Sequence, residues 1–155
     1  MAFRISGLSL EPFRHLFGLS DTQLAAHGAQ RCIADATPDF PYRLTMRDAQ
    51  PGESLLLVNH VHQPADTPYR ASHAIFVSES AAAPYDRVDE IPDALRLRTL
   101  SLRAFDRGHL MVDAGLVVGH EVEALIGRLL ADPRTAYIQA HYAKRGCYAA
   151  RIERA

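Results

Sequence analysis

The chain holds 155 residues, 48% of them hydrophobic and 23% charged, with a formal net charge of −1 from 17 basic and 18 acidic residues. That size and balance suit one globular domain and exclude extended disorder; without single-sign blocks they leave no electrostatic footprint for duplex nucleic acid or an anionic membrane. No apolar run approaches the roughly 20 residues that span a bilayer, and the N-terminus lacks the apolar core of a signal peptide.

Two cysteines, Cys32 and Cys147, make no disulfide framework. The expected location is the cytoplasm, with both as thiols.

In chain order, residues 3–10 alternate with Phe3 and Ile5 apolar and predict a strand. Pro12 suits the first turn of a short helix through Phe13, Leu16 and Phe17, which Gly18 ends. Ser20 or Asp21 caps a second one through Leu24 and Ala25, stopped at Gly28. Residues 29–36 read as a strand, and so do residues 42–46, with Tyr42, Leu44 and Met46 on one face and Arg43, Thr45 and Arg47 on the other.

Pro51-Gly52 is turn chemistry. Residues 54–59 follow as a central strand, apolar on both faces at 55–58, then a polar loop, then a strand over 72–78. Residues 81–84 form a small-residue linker, and Pro92 opens a helical turn. Residues 99–105 and 109–114 pair across Asp106-Arg107-Gly108. The clearest helix spans 119–131, where Val122, Leu125, Ile126, Leu129 and Leu130 make one stripe and Asp132-Pro133 stops it. Residues 135–141 and 147–152 close the chain as a last strand pair.

The sum is a single α+β domain over residues 1–155: a mainly antiparallel sheet of about seven to eight short strands, packed by helix 119–131 and the short N-terminal helices.

Several chemistries are excluded by absence. There is no phosphate-binding glycine loop, no dinucleotide fingerprint and no Gly-x-Ser-x-Gly elbow. His120-Glu121 begins like a zinc-protease helix, but Ala124 stands where the second histidine must be. No cofactor is expected.

Three constellations remain. His60 and His62 sit two apart, so a strand places them on one face, and His73 can return across a hairpin; three imidazoles can hold zinc, yet no carboxylate follows at cupin-like spacing, and polar residues at a strand end explain the same pattern. Tyr69, Arg70 and Ser72, with Asn59 at the start of the loop, supply donors for an anion, or else line a solvated surface. His141, Lys144, Arg145 and Cys147 flank one tight turn, where Lys and Arg favour a thiolate and His141 can serve as its base; a buried structural cysteine is the alternative.

The phrases LLLVNHVHQPADTPYRASHAIFV, LSLRAFD, MVDA and AHYAKRGCYAARI together resemble the small bacterial proteins grouped as domain of unknown function 1203, over most of the chain. The resemblance brings no activity, cofactor or catalytic residue with it.

The leading expectation is therefore a cytoplasmic bacterial protein that binds a small anionic ligand between the loop 59–73 and the turn 144–147. Should it be an enzyme, His60 or His73 acts as acid or base, Arg70 and Arg145 clamp the anion, and Cys147 is the nucleophile. The alternatives are a non-catalytic module that forms a homo-oligomer through an exposed sheet edge, and a zinc hydrolase built on the histidines. No duplex nucleic acid or membrane partner is expected.

Overall fold

Period-two alternation and well-placed turns divide the chain into two antiparallel sheets, seen in a computed structural model that describes residues 1–80 and 83–155. The strands in chain order are β1 (Phe3–Ser6), β2 (Gln30–Ile33), β3 (Ser54–Gln63), β4 (Ala71–Val77), β5 (Asp86–Val88), β6 (Thr99–Phe105), β7 (Met111–Val118), β8 (Tyr137–Tyr142) and β9 (Tyr148–Arg154). Three helices, α1 (Asp21–Ala26), α2 (Asp93–Arg96) and α3 (Val122–Ala131), join two 3-10 turns, Glu11–Leu16 and Gly119–Glu121. The larger sheet has the order β5-β1-β9-β8-β6-β7 and the smaller one β2-β3-β4, every neighbouring pair antiparallel.

The stripe on α3 buries Val122, Ile126, Leu129 and Leu130 against one face of the larger sheet, among them Leu100, Leu102, Ile138, Ala140 and Ile152. Burying each of the Val, Leu and Ile side chains removes apolar area worth about 1.5–3 kcal/mol. Alternation then sends Tyr137, Gln139 and His141 to the opposite face, and all six residues of β8 are buried. The smaller sheet covers that second face: His62 meets Gln139, and Gln63 meets Tyr137. Helix, large sheet and small sheet thus stack as layers, with a polar seam between the two sheets. A second apolar cluster joins Phe13, Leu16 and Leu24 to Leu56, Val58, Ile75 and Val77. Ser20 and Gln23 form a reciprocal capping box on α1.

Residues 42–46 are a correction: they form a buried turn, not a strand. Pro41 bridges Asp48, Tyr42 bridges Phe76, and the carbonyls of Arg43 and Leu44 accept from Leu8 and Tyr85. Tyr42, Arg43, Leu44 and Met46 are all buried, so the apparent alternation has no exposed face behind it. Gly7 lets the chain pass this turn: a Cβ there would stand 2.2 Å from the Leu44 oxygen. β5 was not expected, because Asp86, Arg87 and Val88 are all exposed and carry no apolar pattern. β3 runs on through His62 to Gln63, with a shift of register at His62, so Pro64 falls just past its end and both histidines lie within the strand. Of the expected linker at 81–84, Ala81 and Ala82 lie outside the described residues.

Among the described residues no helix is long and apolar enough to cross a membrane.

Candidate functional site

The β8–β9 turn carries candidate site residues on both of its faces. Gly146, at φ 78° in the left-handed region that glycine adopts without strain, folds the chain back so that the Gly146 amide donates to Tyr142 O and the Tyr142 amide to Cys147 O. From here His141 points into the seam between the sheets, while Tyr142 and Cys147 face the other way.

In the seam, His62 stacks on Tyr148 with ring centroids 5.7 Å apart and meets His141 edge-on at 4.9 Å. His60 packs between Phe13 and Tyr148. Gln139 Oε1 lies 3.0 Å from His62 Nδ1 and 3.2 Å from His141 Nε2, and His141 Nδ1 lies 3.1 Å from the Gly146 oxygen. His141 is fully buried, and burial, reinforced by the Arg103 charge, pushes it down to about 3. Burial also lowers His60 and His62, and it raises the Tyr148 hydroxyl.

On the turn's other side is a cavity of about 630 Å³. Cations Arg43, Arg98, Lys144 and Arg145 line it together with Cys147 and Tyr142; Phe40 and Phe76 make its apolar wall, and Asp35 and Asp39 its acidic edge. Arg98 is neutralised by both carboxylate oxygens of Asp48. Lys144 and Arg145 are exposed and make no ion pair among the described residues.

Arg43 differs from both. It is 1% exposed, donates to the oxygens of Tyr148 and Pro41 and, over 3.1 Å, to Cys147 Sγ, and it meets no carboxylate among the described residues. Burial pulls its pKa down. The Tyr142 ring lies 4.9 Å from the Arg43 guanidinium and 5.1 Å from that of Arg98. Its hydroxyl, buried and pushed up to about 12, has no partner among the described residues.

The expected residues therefore divide. Lys144, Arg145 and Cys147 line the cavity, and none of residues 59–73 does. His60, His62 and His141 share the seam, with His73 opposite His60 in the β3–β4 register and its Nδ1 3.0 Å from Ala74 O. Cys147 sits beside Arg43, while both nitrogens of His141 face other groups. Asn59 and Ser72 are exposed, Arg70 donates to Pro64 O, and Tyr69 leans edge-on against Phe105. Among the described residues no group of three or more His, Cys, Asp or Glu is arranged to hold a metal ion.

Sequence reasoning missed Arg43, Gln139 and Arg103. Arg43 sat in a misread strand. Gln139 and Arg103 carry no motif, only an interior polar position in a strand otherwise apolar on alternate residues.

A second concavity, of about 650 Å³, lies beside Arg107, Arg134 and Arg154. Arg154 there is spent on the Leu130, Asp132 and Thr135 carbonyls at the end of α3, and Arg134 on Asp132.

Fold and site together define a two-sheet antiparallel α+β domain with an arginine-floored cavity and a histidine seam on opposite sides of one turn. The profile of the family described as protein of unknown function (DUF1203) matches residues 39–154, and the chain belongs to that family. No curated protein and no solved structure matches it.

Proposed function

We propose that this is a bacterial cytoplasmic protein that binds a small organic anion in the cavity beneath the β8–β9 turn. The observation that carries the reading is Arg43, a 1% exposed guanidinium on the cavity wall with no carboxylate against it. Removing such a charge from water costs several kcal/mol unless an anion balances it. Three of its five N–H groups are placed on protein acceptors, leaving donors for a ligand. Lys144 and Arg145 at the rim attract the same anion, and Phe40 and Phe76 suit an apolar body attached to it. Cys147, beside Arg43, is the group that reacts if the ligand is also a substrate. The family resemblance and the two free thiols support the bacterial and cytoplasmic parts of this reading.

Phenyl phosphate, which joins an anion to an aromatic ring, is the probe. Its affinity, followed by thermal shift and amide NMR, falls about tenfold or more when Lys144 and Arg145 are both changed to Gln. Equal affinity in that variant, or perturbations away from the cavity, would sink the reading.

One observation favours the non-catalytic alternative: Leu116, 74% exposed, and Val118 lie on β7, an edge strand of the larger sheet. A dimer that Leu116→Glu dissociates would support it, and a monomer at all concentrations would end it.

A further inference from the structure

The hydrogen-bond geometry around His141 and its electrostatic surroundings favour opposite charge states. Gln139 Nε2 donates to His62 O over 2.9 Å, which fixes the amide and leaves Oε1 as an acceptor facing His62 Nδ1 and His141 Nε2. His141 Nδ1 faces a second acceptor, Gly146 O. A neutral imidazole carries one N–H. In either tautomer, neutral His141 sets a nitrogen lone pair against a carbonyl oxygen at 3.1 or 3.2 Å. Only the doubly protonated ring answers both acceptors.

The charged groups around it argue the other way. His141 is faced by Arg103 from β6, His62 from β3, His73 from β4 and Tyr148 from β9, and none of these brings a negative charge. Arg151, opposite Gln139, is already paired with Glu153. Arg103 stands across from Gln139 on the other side and shares the sheet face of His141. Its guanidinium makes no hydrogen bond or ion pair among the described residues, and burial opposes its charge. A half-buried guanidinium without an anion thus lies beside a ring whose acceptors are set for a second proton.

We propose that the seam between the sheets is a second anion site, in which a small oxyanion binds Arg103 beside His62 and His73 and His141 takes up a proton from solvent as it binds. A divalent oxyanion, the Arg103 cation and the new imidazolium sum to zero, so the buried seam gains no net charge. The ligand class is a sulfate- or phosphate-like group, small enough to reach the edge of a packed interface. The site is independent of the cavity, because β8 sends His141 and Tyr142 to opposite faces.

Sulfate is the probe, since it does not titrate near neutrality. Protein with nitrogen-labelled histidines is titrated with sulfate against chloride at constant ionic strength, from pH about 8 to about 4, and ring-nitrogen NMR reads each protonation state. Sulfate is expected to raise the His141 midpoint from about 3 by about two units or more, into the titrated range, and to bind tighter as pH falls through that range, by up to roughly tenfold per unit. Arg103→Gln loses both effects, and the Lys144→Gln, Arg145→Gln double variant keeps them. Two results overturn the proposal: a wild-type His141 that ignores sulfate, which needs no variant to fold, or a response that survives Arg103→Gln and disappears with the rim lysine and arginine. The second leaves the cavity reading standing; loss of phenyl phosphate binding alone leaves this one standing.

Discussion

Arg43 is held by three different acceptors, two backbone oxygens and a sulfur, and each fixes a separate part of the fold: the 42–46 turn through Pro41, and β9 with the turn before it through Tyr148 and Cys147. Arg43→Met keeps most of the volume and removes the charge. It leaves those acceptors unpaired in a buried place, which costs about 1–3 kcal/mol per group where nothing replaces the donor. Urea unfolding is therefore expected to show a stability loss of that order, together with loss of phenyl phosphate binding. Arg43→Lys retains the charge but cannot present a planar fork to three partners, so it should recover part of the binding and less of the stability. A more stable Arg43→Met protein would show that the buried charge costs more than its hydrogen bonds return.

At the scale of elements, α3 is built almost wholly from packing. Its buried stripe was plain in the sequence, while its exposed face contains Gly127, whose added Cβ would meet nothing within 4 Å. Gly127→Ala should raise stability by about 0.8–1 kcal/mol, read as a higher Tm, because the change removes unfolded-chain freedom without a new contact. The β3–β4 hairpin was legible for a similar reason: the run 55–58 is apolar on both faces, and its partner strand follows within one loop. β5 was illegible because its three side chains are solvated and carry no apolar pattern, and the Arg4–Asp86 ion pair that joins it to β1 links residues 82 apart in the chain. The 42–46 segment misled because burial on every side imitates burial on one. The candidate residues were legible as types and not as neighbours. His62 and His141 meet only because two sheets pack across β8, a contact no local spacing encodes, and Lys144 and Arg145 open onto a cavity that residues 59–73 do not line.

At the scale of the whole molecule, the two sheets are joined by a seam that acid should open. The His141 value of about 3 lies below its ordinary 6.5, and burial moves His60 and His62 in the same direction. The unfolded chain therefore binds more protons than the folded one across that window, and stability rises with pH. The contribution is complete above pH about 6.5 and is lost progressively as pH falls toward the folded value. Each unit costs about 1.4 kcal/mol for a histidine that stays neutral, so His141 alone removes about 2 kcal/mol between pH about 6.5 and about 5.

Glu53, held down to about 2 first by Arg47, contributes stability that is lost only below the ordinary carboxylate value of 4.5, so it does not confuse the upper window. Denaturant unfolding at several pH values should show this slope, His141→Gln should flatten it, and hydrogen exchange at pH about 5 should rise first in β3 and β8, where the seam lies. A wild-type curve that stays flat over the same range would mean that His141 is protonated in the folded protein even without an anion. In that case the two carbonyl acceptors at Gln139 and Gly146 outweigh burial and the Arg103 charge, and the seam is a standing imidazolium site.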